Sequence, residues 1–181
     1  MTKRNETLWY PIRVTYSQEM KIKELMTAQE IESFIPMEYR EKERNGRKMR
    51  QLVPVIHNLI FIHTCKRRID EIKAENMYSC IRYLTNPTTN TPIIVPEKQM
   101  TDFIAVAGTP DEQIMFLGPT EVNLQKGDRV RITGGIWEGV EGTFLRIKRG
   151  LRVVIAIDGI MTVATASLHP SLVEKINDNN Y

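Results

Sequence analysis

One stretch limits the fold more than any other: Lys126-Gly-Asp-Arg-Val-Arg-Ile-Thr-Gly-Gly-Ile-Trp-Glu-Gly-Val-Glu-Gly-Thr-Phe-Leu-Arg-Ile147. It opens on a polar turn, alternates through Val130 and Ile132 as a half-buried strand does, and then breaks into a loop with glycines at 134, 135, 139 and 142. Glycine serves where the backbone needs positive φ or passes close to another segment. Glycines packed around Trp137 therefore predict a loop of fixed shape between two strands, presenting the indole to solvent.

The residues C-terminal to this loop extend the β pattern. Thr143 to Lys148, Leu151 to Ile157 and Ile160 to Ala166 alternate as strands, joined at Arg149-Gly150 and Asp158-Gly159, and Leu172, Val173 and Ile176 supply a last apolar segment. Asp-Gly between alternating apolar runs is a strong hairpin signal. A closed five-stranded barrel would leave so short a unit no free sheet edge. The stretch resembles the KOW motif, a small barrel unit of transcription elongation factors and some ribosomal proteins, with Gly142 at its characteristic glycine.

The preceding residues read differently. Leu8 to Tyr16 is rich in aromatic and β-branched residues and predicts a first strand, with Pro11 placing it at an edge or a bulge. Ser17 is positioned to cap a helix reaching about Gln29. Ile31 to Tyr39 returns to strand, and a basic hairpin tip turning at Asn45-Gly46 comes next, with Arg40, Lys42, Arg44, Arg47, Lys48 and Arg50. Such a run suits a solvated loop or a hairpin reaching a nucleic-acid backbone, and charge alone does not choose. Leu52 to Ile62 is the most apolar run and predicts one central strand covered on both faces. A short helix over Ile69 to Ala74, a strand over Tyr78 to Leu84 and a helix started by Pro96 complete the first part. The expected class is α+β, with an antiparallel sheet and helices over residues 1–107, a linker over 108–124 and the β-barrel over 125–181.

Composition excludes several functions. With 41% hydrophobic and 26% charged residues the chain is of globular type, and no apolar run is long enough to span a bilayer. The opening Met-Thr-Lys-Arg-Asn-Glu-Thr lacks the apolar core of a signal peptide, so a cytoplasmic chain is expected. Cys65 and Cys80 make no disulfide framework, and with His57 and His63 they lack metal-ligand spacing, so neither metal nor cofactor is expected. There is no glycine-rich phosphate loop and no nucleophile elbow, hence no enzyme. A formal charge of +3 permits contact with nucleic acid without requiring it.

Taken together, Trp-Tyr in the first strand, Ile-Pro in the second, a basic hairpin before an apolar strand, then a linker and a KOW unit resemble the NusG family of transcription elongation and antitermination factors, from about Leu8 to Ile176. Trp-Tyr-Pro-Ile-Arg-Val-Thr-Tyr-Ser and Ile-Glu-Ser-Phe-Ile-Pro-Met are most similar to specialised antiterminators linked to bacterial surface-polysaccharide operons. The resemblance implies a monomer whose N-terminal domain binds the clamp of RNA polymerase. Family members carry Phe-Pro-Gly-Tyr at the contact; Ile56-His57-Asn58-Leu59 stands there in this chain, followed by Ile60-Phe61, so Ile56, His57, Asn58, Leu59 and Phe61 are the implied polymerase-binding residues. It further implies contact with non-template DNA or nascent RNA, for which Lys21, Arg82, Arg44, Arg47 and Lys48 are the candidates, and docking of a ribosomal protein or termination factor on Ile136, Trp137 and Gly142 of the KOW loop. The alternative is an RNA-binding or ribosome-associated protein using the barrel cations Arg129, Arg131, Arg146, Lys148, Arg149 and Arg152.

Overall fold

A computed structural model describes residues 5–44, 46–75, 81–118, 121, 123 and 127–176, the side chain of Arg44 excepted. The chain is α+β and divides into two compact units, Met1–Glu97 and Lys98–Tyr181.

The first unit is built on β1 (Thr7–Val14), α1 (Glu19–Ala28), β2 (Glu32–Phe34), β3 (Met37–Arg44), β4 (Arg47–Pro54), β5 (Leu59–Cys65), α2 (Lys66–Ala74) and β6 (Ile81–Tyr83). Four of its strands form an antiparallel sheet in the order β2-β5-β1-β6. Tyr10 opposes Ile62 and Ile12 opposes Ile60, so these side chains share a face. That face joins Ile22 and Met26 of α1 and Ile69 and Ile72 of α2 in one buried cluster. The spacings i, i+4 and i, i+3 put each helical pair on one stripe, and every such side chain withdrawn from water contributes about 1.5–3 kcal/mol. Trp9, Pro11, Leu59, Phe61 and His63 line the opposite face by the same register.

Pro11 is not at a sheet edge, because β1 lies between β5 and β6. The β6 ladder, however, covers only Ile12 to Val14. On that side Pro11 meets a single backbone bond, from the Leu84 N–H to the Pro11 carbonyl, so its missing donor breaks no ladder. Ser17 does not cap α1: it has φ +51, and Gln18 stands at the cap position, its side chain making no capping hydrogen bond. The apolar run Leu52 to Ile62 is two strands rather than one. It breaks at Asn58, whose φ of +65 turns the chain from β4 into β5. β3 and β4 then pair only with each other, as a two-stranded ribbon. Of the predicted strand from Tyr78 to Leu84, the residues up to Cys80 lie outside the described ones and β6 is the remainder.

The second unit holds α3 (Glu97–Ala107) from Lys98 onward, β7 (Met115–Leu117), β8 (Asp128–Ile132), β9 (Glu141–Ile147), β10 (Gly150–Ile157), β11 (Met161–Ala164), a 3-10 turn at Pro170–Leu172 and β12 (Val173–Lys175). Its sheet has six strands, β12-β8-β9-β10-β11-β7, where the sequence predicts five. The additional strand comes from the stretch read as linker, Phe116 opposing Val163. α3 hydrogen-bonds this sheet and its loop, Lys98 Nζ to the Gly139 carbonyl at 3.1 Å and Gln99 Nε2 to the Ala156 carbonyl at 2.6 Å. The sequence assigns α3 to residues 1–107; these two bonds tie it to the β unit. Gly159 supplies the positive φ between β10 and β11, while between β9 and β10 Lys148, not Gly150, takes it.

Candidate functional site

Two loops of the first unit meet at Asn58. Its backbone carbonyl accepts from Val14 N–H at 2.9 Å, and its side-chain Oδ1 accepts from Ser17 N–H at 2.8 Å. Tyr16 and Ser17, at φ +61 and +51, share the left-handed region with Asn58. That region costs a non-glycine residue roughly 1–2 kcal/mol, least for Asn, so three such residues in two mutually bonded loops are a fixed feature of the fold. Tyr16 is 86% exposed. The His57 imidazole is exposed and lies 3.8 Å from Glu19, whose carboxylate is buried at the start of α1. The Glu19 Oε2 has no hydrogen-bond partner among the described residues. Ile56 and Asn58 are half-buried, whereas Leu59 and Phe61 are buried, at 4% and 0% exposure. Of the five residues expected here, three thus reach the surface and two are buried in β5. Tyr16, Ser17 and Glu19 join the site without having been singled out in the sequence. The one available signal, a serine ahead of a helix, reads as a cap.

The basic candidates are dispersed. Lys21 is exposed on α1 and Arg82 on β6. Arg82 stands directly opposite the exposed Arg13 of β1, a like-charged cross-strand pair that costs stability on its own. In the ribbon Arg44 opposes Arg47, the Arg44 side chain lying outside the described residues, and Lys48 opposes Glu43. Arg47 and Lys48, adjacent in sequence, therefore point to opposite faces.

In the second unit the glycine-rich loop has a defined shape. Gly135 and Gly139 have φ of +86 and +85, and Gly139 N–H donates to the Ile132 carbonyl at 2.8 Å. A Cβ on Gly142 would lie 2.6 Å from the Val154 carbonyl oxygen and 2.7 Å from Val153 Cγ1, so β9 passes β10 too closely for any side chain there. Trp137 is not presented to solvent. It is 5% exposed and donates its indole N–H to Thr109 Oγ1 at 3.1 Å, so its amphipathic ring is satisfied inside its own unit. Ile136, beside it, is 74% exposed. Among the barrel cations, Arg131 pairs with Glu141 and Glu174, and Arg152 donates to the carbonyls of Gln113 and Thr165. Arg146, Lys148 and Arg149 are exposed around the β9–β10 turn.

No group of three or more His, Cys, Asp or Glu among the described residues is arranged to hold a metal ion. Cys65 is a half-buried free thiol, and Cys80 lies outside the described residues. No helix of the described residues is long and apolar enough to cross a membrane.

The family described as transcription termination factor nusG matches residues 7–104, more than half of the chain. The chain belongs to the NusG family. It is a NusG-type transcription factor, and proteins of this family are not enzymes. No curated protein matches. A solved structure described as domain interaction in Thermotoga maritima NusG is 21% identical, covering 95% of this chain and 98% of its own, with a TM-score of 0.45. The NusG match runs from β1 into α3 and so contains the Asn58 junction and the whole basic ribbon. Where the resemblance places the glycine of Phe-Pro-Gly-Tyr, this NusG-type chain has Asn58, the non-glycine type most tolerant of positive φ.

Proposed function

We propose that this NusG-type factor binds the clamp region of RNA polymerase through the surface formed by Ile56, His57 and Asn58, with Leu59 and Phe61 as its apolar floor, and acts in elongation as an antiterminator of the kind serving surface-polysaccharide operons. NusG-family proteins generally bind RNA polymerase. The observation that carries the reading is the Asn58 junction: the loop that stands in place of Phe-Pro-Gly-Tyr has a left-handed residue, Asn58, at the glycine position and is held against the β1–α1 loop by the Ser17 bond. The loop is thereby held in a fixed shape, although the aromatics of Phe-Pro-Gly-Tyr are absent from it. Aliphatic surface removed from water still contributes roughly 25 cal/mol per Å². Lys21 and Arg82, the latter with Arg13, are assigned to the non-template strand or nascent RNA. In the second unit, the exposed Ile136 replaces Trp137 as the anchor for a ribosomal protein or termination factor.

Capture of core RNA polymerase by the intact chain tests this. The variant Ile56→Asp with His57→Gln changes only half-buried and exposed positions, sets no new carboxylate on residue 57 beside Glu19 and should fold normally, yet it is expected to weaken capture about tenfold or more, as loss of a contact centre does. Equal capture by variant and parent would remove these residues from the contact. A barrel that instead served RNA alone would bind through Arg146, Lys148 and Arg149, with no requirement for polymerase.

A further inference from the structure

Two large aromatic side chains are exposed among the described residues, Tyr16 and Tyr39. Tyr39 is accounted for within the fold: it lies opposite Leu52 in the β3–β4 ribbon and carries the Arg50 guanidinium 4.9 Å from its ring centre. Tyr16 is 86% exposed and makes no side-chain hydrogen bond or ring contact among the described residues. Its backbone nevertheless sits at φ +61, where a bulky residue is an outlier. A ring that buries nothing repays none of that conformational cost inside its own fold, so the use of a tyrosine here points outside the chain. The neighbouring contact residues, by contrast, have little surface left to give: Leu59 and Phe61 are buried and Ile56 is half-buried.

We propose that Tyr16 is the aromatic anchor of the polymerase contact, its ring inserted into an apolar cleft of the clamp and its hydroxyl left at the wet rim. This inference rests on the polymerase reading of the Asn58 junction and is continuous with it, because the residue after Tyr16 donates its backbone N–H to Asn58 Oδ1 at 2.8 Å. A tyrosine ring withdraws about 150–250 Å² from water when buried, and tyrosine is among the residue types that dominate binding energy at protein contacts. The Ser17 bond fixes the backbone beneath the ring, so insertion has only two side-chain torsions to order and costs little entropy. The charges around it select a protein over a nucleic acid. Residues 15–19 and 55–58, the two loops that meet at Asn58, contain no lysine or arginine and one carboxylate, Glu19. Binding of nucleic acid is dominated by cations on phosphates, and a platform for an unstacked base is set in a basic groove, which these loops do not supply.

The test measures capture of core RNA polymerase, free of nucleic acid, by the full chain and by two variants, Tyr16→Asn and Tyr16→Phe, with a urea titration of each. Tyr16→Asn removes the ring and places at φ +61 the non-glycine type that tolerates it best, so its urea midpoint should equal or exceed the parent's while capture falls about tenfold or more. Tyr16→Phe keeps the ring and should capture within about threefold of the parent. Stability and binding thus move in different directions, which a ring serving only its own fold would not produce. Parental capture by Tyr16→Asn would overturn the anchor, as would a loss from Tyr16→Phe as large as that from Tyr16→Asn, or a lowered midpoint in Tyr16→Asn. If Tyr16→Asn lost binding only when nucleic acid was present, the ring would be a base platform and the inference wrong. Loss of capture by Ile56→Asp with His57→Gln but not by Tyr16→Asn would strike the anchor alone, whereas no capture by the parent would strike the polymerase reading with it.

Discussion

Gly142 shows how closely one residue can be specified. Its position is set by contact rather than by φ, since the space a Cβ would occupy is taken by the backbone oxygen of Val154 and a methyl of Val153. A backbone atom in a paired strand cannot swing aside as a side chain can. Gly142→Ala is therefore expected to destabilise the second unit by about 1–3 kcal/mol, the range for overpacking a filled interior, seen as a lower urea midpoint. The Asn58 position is specified by the opposite means, a positive φ together with a side chain that accepts from Ser17. Motif matching finds Gly142 directly. It finds Asn58 only as a departure, and its positive φ is a feature of the fold that the motif does not report.

Elements are fastened by polar contacts whose pH dependence is definite. α2 is tied to β6 through Asp70, which accepts from Lys66 Nζ at 2.8 Å and from the Tyr83 hydroxyl at 2.9 Å. Burial opposes the Asp70 charge, but these two bonds and the Lys66 and Lys73 charges outweigh it and hold its carboxyl below the usual range. Burial first, and then the bond to Asp70, pushes the Tyr83 phenol far above its ordinary value. Because the native pKa of Asp70 is depressed, the unfolded chain takes up the proton first as pH falls. The stabilisation is therefore complete above the unfolded carboxylate range near pH 4 and disappears as pH drops through the lower native value. Asp70→Asn should lower stability by about 0.2–1 kcal/mol at pH 7, modest because both partners are partly exposed. In urea titrations at successive pH values, the gap between parent and variant should close as pH falls below about 4; a gap that widens in acid would refute the assignment.

At the scale of the whole molecule, what matters is which segments belong to which unit. α3 bonds the second unit through Lys98 and Gln99, so a fragment of residues 98–181 should outlast one of residues 108–181 in urea by about 1–3 kcal/mol, two hydrogen bonds at roughly 0.5–1.5 each. Equal midpoints would mean that the helix contributes nothing there. The α+β class, the alternating strands of both units, and the turns at Gly46 and Asp158-Gly159 were legible in the sequence because they depend on neighbours a few residues apart, Asn45 lying outside the described residues: alternation sets strand faces, and turn residues set local φ. The basic ribbon was legible too, but not the separation of its charges, which needs the register between two strands. Tertiary structure alone decided that the run from Leu52 to Ile62 breaks at Asn58, that Trp137 turns inward to Thr109, and that Met115 to Leu117 joins the six-stranded sheet. Each of these depends on a partner distant in the chain, and an apolar or amphipathic residue carries no local mark of whether its own fold or another molecule will cover it.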